Sequence, residues 1–195
     1  MSIARLRDFV RGLTVLADEK ASEERFLTEG RALLETLVRH DDWLPPEFAE
    51  PGPTYRQNLL HCDPRERFSV VCFVWGPGQE TPVHNHTVWG LVGMLRGEEV
   101  STQMIPDAAG GPMRAGEVDR LRAGEVIAVS PNLYDIHRVR NAYDDRASIS
   151  IHAYGANIGS IRRSVFDPAT SATTDFVSGY TTAVVPNLWD RKAAA

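Results

Sequence analysis

The apolar residues of this chain change their spacing near residue 50, and the change separates two kinds of structure. Before it, Ile3, Leu6, Phe9, Val10, Leu13 and Leu16 recur at steps of three and four. Such steps put side chains on one face of a helix. A second stripe runs through Phe26, Ala32, Leu33, Leu37 and Val38, with Asp18 to Ser22 as the break between them. The spacing predicts helix from about residue 3 to about 42, stopped by the two prolines of Trp43-Leu44-Pro45-Pro46. The stripes are expected to cover a core, not to hold a partner.

From Tyr55 onward the rhythm is that of strands. The run 68–75, Phe-Ser-Val-Val-Cys-Phe-Val-Trp, is β-branched and aromatic and ends at Gly76-Pro77-Gly78. Further strands are expected around His84 and over 90–95, 99–105, 118–121, 125–129, 137–141 and 147–154. The Gly/Pro-rich stretch 106–116 reads as a connection, too short to link two domains. Short strands separated by turn residues suggest a sandwich or a small barrel. The tail from Asp175 shows little pattern; Trp189 is expected to dock on the body and the last alanines to fray.

Composition narrows the class. A chain of 195 residues is expected to form one domain: helical over 1–50, a β-barrel over 51–170, a tail over 171–195. The net charge of −5 and the lack of a Lys/Arg-rich run argue against a nucleic-acid partner. No apolar run approaches the roughly 20 residues of a membrane span. The first residues carry scattered charges unlike a signal peptide, so a cytoplasmic protein is expected. Cys62 and Cys72 are too few for a disulfide framework and are expected to be reduced, Cys72 packed in a strand. No pattern encodes the oligomeric state.

The chemistry gathers at Gly78-Gln-Glu-Thr-Pro-Val-His84-Asn-His86-Thr-Val-Trp-Gly90. Histidines at i and i+2 of an extended segment share a face and can offer two imidazoles to one metal ion. On 148–154, alternation puts Ser148, Ser150, His152 and Tyr154 on one face and Ile149, Ile151 and Ala153 on the other. A Ser-x-His-x-Tyr run can chain hydroxyl, imidazole and phenol by hydrogen bonds.

The stretch from Gly78 to Gly97 resembles the first motif of the cupin β-barrels, with five residues between Gly78 and His84 and six between Gly90 and Gly97. Ser130-Pro-Asn-Leu-Tyr-Asp-Ile-His137-Arg-Val-Arg-Asn141 resembles the second motif, one residue longer than usual after Pro131. Gly90 stands where cupins usually carry a glutamate ligand. A cupin with three histidines and no such glutamate resembles the thiol dioxygenases of the cysteine dioxygenase family, over about Tyr55 to Arg163. The resemblance implies a mainly β, jelly-roll-like cupin barrel with the N-terminal helices outside. It implies one Fe(II) per chain on His84, His86 and His137, although three histidines alone suit zinc equally. It also implies a Ser150, His152, Tyr154 triad beside the metal, with His152 orienting Tyr154. The family's cysteine–tyrosine cross-link is not expected, because its cysteine position is Gly90.

The substrate clue is Tyr55-Arg56-Gln57-Asn58-Leu59. Cysteine-specific members resemble Tyr-x-Arg-Asn-Leu, whose arginine holds a carboxylate; Gln57 cannot make that charged fork. The Gln-bearing members are similar to 3-mercaptopropionate dioxygenase, and their later arginine corresponds to Arg163, with Arg162 as the alternative. The expected partners are a small thiol carboxylate and O₂, with 3-mercaptopropionate favoured over cysteine and mercaptosuccinate. A zinc or manganese cupin of another activity and a small-molecule-binding cupin sensor are the competing readings.

Overall fold

A computed structural model describes residues 2–189. Helix α1 (Ala4–Asp18) is followed by a continuous helical run of α2 (Glu23–Arg25), a π-helical segment (Phe26–Gly30) and α3 (Arg31–Val38). The sequence placed these helices and the break between them, but two details differ. The helix ends at Val38, before the prolines; Trp43 folds back, fully buried, and its indole donates to the Leu37 carbonyl at 3.3 Å. The π-helical segment inserts wider turns and shifts the phase of the stripe. Leu34 therefore faces the core with Leu37 and Val38, whereas Ala32 is exposed and Leu33 only half-buried.

The rest is antiparallel sheet. The strands are β1 (Arg56–Cys62), β2 (Ser69–Trp75), β3 (Val83–His84), β4 (Gly90–Arg96), β5 (Glu98–Ile105), β6 (Arg114–Arg122), β7 (Val126–Val129), β8 (His137–Asn141), β9 (Ser148–Tyr154), β10 (Arg163–Phe166) and β11 (Thr173–Phe176). One sheet has the order β1-β2-β9-β4-β7 and the other β11-β10-β3-β8-β5-β6. Strand β6 starts at Arg114, inside the stretch expected to be a loop, because it pairs with β5 out to Ile105 across a bulge. Strands β10 and β11, which were not among the expected strands, form one edge of the six-stranded sheet.

The helices lie on the outer face of the five-stranded sheet. Ile149, Ile151 and Ala153 of β9 join Leu6, Leu13, Leu34 and Leu37 in one core. Gly93 on β4 makes that contact close: a β-carbon there would stand 2.9 Å from Leu34 Cγ and 3.0 Å from Val38 Cγ1. Between the sheets lies a second interior containing Val71, Phe73, Trp75, Val139 and Tyr154. Strand β9 is thus buried on both faces, its polar residues turned inward instead of toward water. Leu188 is buried, whereas Trp189 remains 60% exposed and does not dock; the final alanines lie outside the described residues.

Candidate active site

Three imidazoles meet at the mouth of this inner space. His84 closes β3, His137 opens β8, and the two are register partners across the sheet. His86 lies just past the end of β3, not on the strand as expected, yet its ring reaches the same cluster as that of His84. Thr87, at φ +63°, then turns the chain away. One ring nitrogen from each of His84, His86 and His137 lies within 4.8 Å of the others.

The opposite nitrogens are already used. His84 Nδ1 is 3.0 Å from the Pro82 carbonyl, His86 Nδ1 is 3.0 Å from Asp135 Oδ1, and His137 Nδ1 is 2.9 Å from Ser101 Oγ. A carbonyl and a carboxylate only accept, so the neutral rings of His84 and His86 carry their protons on Nδ1 and present bare Nε2 lone pairs. Burial holds His84 down to about 3 and His137 well below the ordinary histidine range, with the neighbouring imidazoles pushing the same way. His86 is lowered too, by burial, against the pull of Asp135. All three are neutral at pH 7. Three neutral nitrogen donors in this cluster fit a divalent transition ion, and the orienting partners on Nδ1 are those expected around a metal site.

Asp135 was missed by sequence reasoning. It accepts from the backbone N–H groups of His86 and Thr87 at 2.8 and 3.1 Å as well as meeting the His86 ring. The signal was present in its place two residues before His137, but its partner lies 49 residues away.

Beside the histidines stands the hydroxyl–imidazole–phenol chain. Ser150 Oγ is 2.8 Å from His152 Nε2, and His152 Nδ1 is 2.8 Å from Tyr154 Oη. The indole of Trp75 donates to Ser150 Oγ at 3.0 Å, and Phe73 packs on the His152 ring at 4.3 Å between centroids. Tyr154 in turn stacks on His86 at 5.4 Å. Gly90 has a plain steric reason: a β-carbon there would lie 2.9 Å from Tyr154 Cδ1 and 2.8 Å from Val129 Cγ2. Cys72 faces the helices, on the far side of its strand from Phe73, and both cysteines are free thiols.

A small cavity of about 30 Å³ opens beside His84, lined among others by Tyr55, Gln57, Tyr154, Arg163 and Ser178. Arg163 and Arg162 separate here. Arg162 is exposed and pairs with Asp175 at 3.1 Å, whereas Arg163 is 5% exposed, on the cavity wall. Arg163 donates to Ser178 Oγ at 2.8 Å, and its guanidinium lies 4.6 Å from the Phe176 ring centre. Its Nε has no partner, and no described carboxylate forms an ion pair with it. Burial lowers its pKa from the usual arginine range, while Tyr154 and Tyr55 favour the charge. A buried cation without a counter-ion is a place for an anion. Gln57 lines the same cavity, its amide Nε2 donating to Ser178 Oγ at 3.1 Å and to the Gly179 carbonyl at 2.9 Å. The tail segment around Ser178 is therefore a wall of the site, which the sequence did not suggest.

A two-sheet antiparallel barrel with three convergent histidines defines a cupin with a candidate metal centre. The family model for cysteine dioxygenase type I matches residues 52–167, more than half of the chain. The chain belongs to that family, whose members are cupin-type thiol dioxygenases. Among solved structures, a conserved protein with a double-stranded β-helix domain from Klebsiella pneumoniae is similar at 19% identity, over 62% of this chain and 95% of its own, with a TM-score of 0.46. A cupin 2 conserved barrel protein from Rhodopseudomonas palustris is similar at 15% identity over 60% and 70%, TM-score 0.45. An oxalate oxidase in complex with glycolate is similar at 18% identity over 55% of each chain, TM-score 0.43. Among the described residues, no helix is long and apolar enough to cross a membrane.

Proposed function

We propose that the chain is an Fe(II)-dependent dioxygenase that converts a small thiol carboxylate, 3-mercaptopropionate, and O₂ to the sulfinic acid. The observation that carries this reading is Arg163, a buried cation with no described carboxylate partner, in the same cavity as His84. His84, His86 and His137 would hold the iron. When bound, the iron supplies positions where a thiolate and dioxygen can react, the chemistry of thiol oxidation to sulfinate.

The chain's own residues bind and orient. Arg163 takes the carboxylate in a charged fork, and Gln57 fixes Ser178 so that the guanidinium stays aimed at the cavity. Tyr154, held by His152 and Ser150, offers its hydroxyl to the sulfur end. Burial pushes the Tyr154 phenol up, so it keeps its proton at neutral pH. Phe73, Ile158 and Phe176 keep the wall apolar and limit water around the reacting sulfur.

The lining also favours a thiol acid without an amine. It contains no aspartate or glutamate to receive the ammonium of cysteine, and Arg163 would repel it. With one cation on the wall, one carboxylate is matched, which places mercaptosuccinate behind 3-mercaptopropionate. The test is oxygen uptake with ¹⁸O₂ by iron-loaded and zinc-loaded protein. Uptake with iron alone and two labelled oxygens in the sulfinate are expected. Equal turnover with zinc, or no uptake with any thiol, would favour a different cupin activity.

A further inference from the structure

Ser178, just after β11, stands at the junction of two spaces. It lines the small cavity beside His84, and it lines a groove of about 460 Å³ outside, which shares Tyr55, Gln57, Pro82 and Phe176 with the cavity. The segment that carries it is tied down on both sides. Thr181 exchanges two hydrogen bonds with the Gln57 backbone, its N–H donating at 2.8 Å and its hydroxyl oxygen accepting at 2.9 Å. Gly179, at φ +62°, donates to the Gly159 carbonyl at 2.9 Å, and Tyr180 Oη accepts from the Gly159 N–H at 3.0 Å. The outer side of Ser178 is exposed, but its hydroxyl is held in place.

Counting donors and acceptors shows what each side chain has left to offer. A serine hydroxyl has one proton and two lone pairs. Arg163 Nη2 and Gln57 Nε2 donate to the Ser178 oxygen at 2.8 and 3.1 Å, so both lone pairs are used. The Ser178 proton has no acceptor among the described residues. Gln57 is in the opposite position. Its two Nε2 protons go to Ser178 Oγ and the Gly179 carbonyl, which leaves only the amide oxygen, and that oxygen repels a carboxylate. Arg163 keeps an unpartnered Nε–H, and its Nη1 reaches the Asn85 carbonyl only at 3.4 Å.

We propose that Ser178 is a specificity-determining residue whose hydroxyl proton donates to the substrate carboxylate beside the Arg163 guanidinium. This rests on the reading of the cavity as the site of a thiol carboxylate. Gln57 acts through Ser178: by occupying one lone pair it leaves the hydroxyl proton for the ligand, and it does not itself hold the carboxylate. The charge comes from Arg163 alone, and Ser178 adds direction without adding a second cation. A single carboxylate, taking the free guanidinium protons and the hydroxyl together, satisfies every donor this corner leaves over.

The test has two readouts. In the first, propionate, a carboxylate without a thiol, is titrated into the zinc-loaded chain and followed by NMR of the nitrogen-15-labelled protein. Ser178→Ala should weaken its binding about tenfold, the scale of a hydrogen bond to a charged group, and Ser178→Thr, which keeps the hydroxyl, should restore it. In the second, the kcat/KM of the iron-loaded chain for 3-mercaptopropionate relative to cysteamine should fall about tenfold in Ser178→Ala, through KM with kcat little changed. A double-mutant cycle with Arg163→Met, run on both readouts, separates a donor from a prop for the guanidinium. Ser178→Ala should still cost several-fold in the Arg163→Met background. Propionate binding unchanged in Ser178→Ala would overturn the proposal, and so would a Ser178→Ala effect that vanishes once Arg163 is replaced. No oxygen uptake with any thiol, with propionate binding still weakened by Ser178→Ala in both backgrounds, would overturn the functional reading and leave Ser178 supported as a carboxylate donor.

Discussion

Two adjacent arginines occupy opposite environments, and the difference can be tested one residue at a time. Arg163→Met should lower kcat/KM for thiol carboxylates by roughly tenfold to a hundredfold, the scale of a lost charge-assisted hydrogen bond. Turnover of cysteamine, which has no carboxylate, should not fall, and Arg162→Ala should behave as the parent. Asp135→Ala removes the group that orients the His86 ring, so metal affinity measured by chelator competition should drop about tenfold to a hundredfold. His84 and His86 were legible from their i, i+2 spacing, and His137 and Gln57 from the resemblance of their segments to family motifs. Asp135, Ser101 and Ser178 were not, because each meets its partner across 49, 36 or 121 residues, and strand register decides such meetings. The choice between Arg162 and Arg163 was likewise invisible until β10 fixed which face turns inward.

At the level of elements, alternation on β9 was readable and held: its even-numbered polar residues and odd-numbered apolar residues part as period two requires. What alternation could not say is that both faces are covered, because that depends on the helices lying over the sheet. Gly93 is the test of that layer. Gly93→Ala would push a methyl into Leu34 and Val38, and overpacking of this kind costs about 1–3 kcal/mol. Thermal denaturation should show the loss, while the metal affinity of the folded fraction stays at the parent value, since none of the three histidines sits on β4. The helix phase was misjudged for a local reason. A π-helical segment advances the chain by more than 3.6 residues per turn, and no propensity marks it in the sequence.

Across the whole molecule, the barrel buries the carboxyl of Glu99 on β5, which is 1% exposed, and the stability of the fold should register it. Glu99 has a folded pKa raised from 4.5 to about 7, so the native state binds a proton that the unfolded chain releases. Between these values the folded state holds more protons, and stability falls as pH rises from about 4.5 to about 7, then levels off. The full effect is on the order of 3 kcal/mol. Glu99→Gln should remove that slope, so the variant gains on the parent as pH rises through this window in urea titrations. Asp63, held down to about 2 by Arg67, acts with the opposite sign at lower pH, losing its contribution as pH falls below the ordinary aspartate range.

The cavity sets the candidate metal ligand His84 and the buried cation Arg163 on one wall and has no carboxylate for an amine, so the discriminating quantity is relative kcat/KM. Oxygen uptake by the iron-loaded protein should be compared for 3-mercaptopropionate, cysteine, mercaptosuccinate and cysteamine, with the product identified by mass. The highest kcat/KM with 3-mercaptopropionate, yielding the sulfinate, is the expected result. A clear preference for cysteine or cysteamine would contradict the role given to Arg163 and the lining around it.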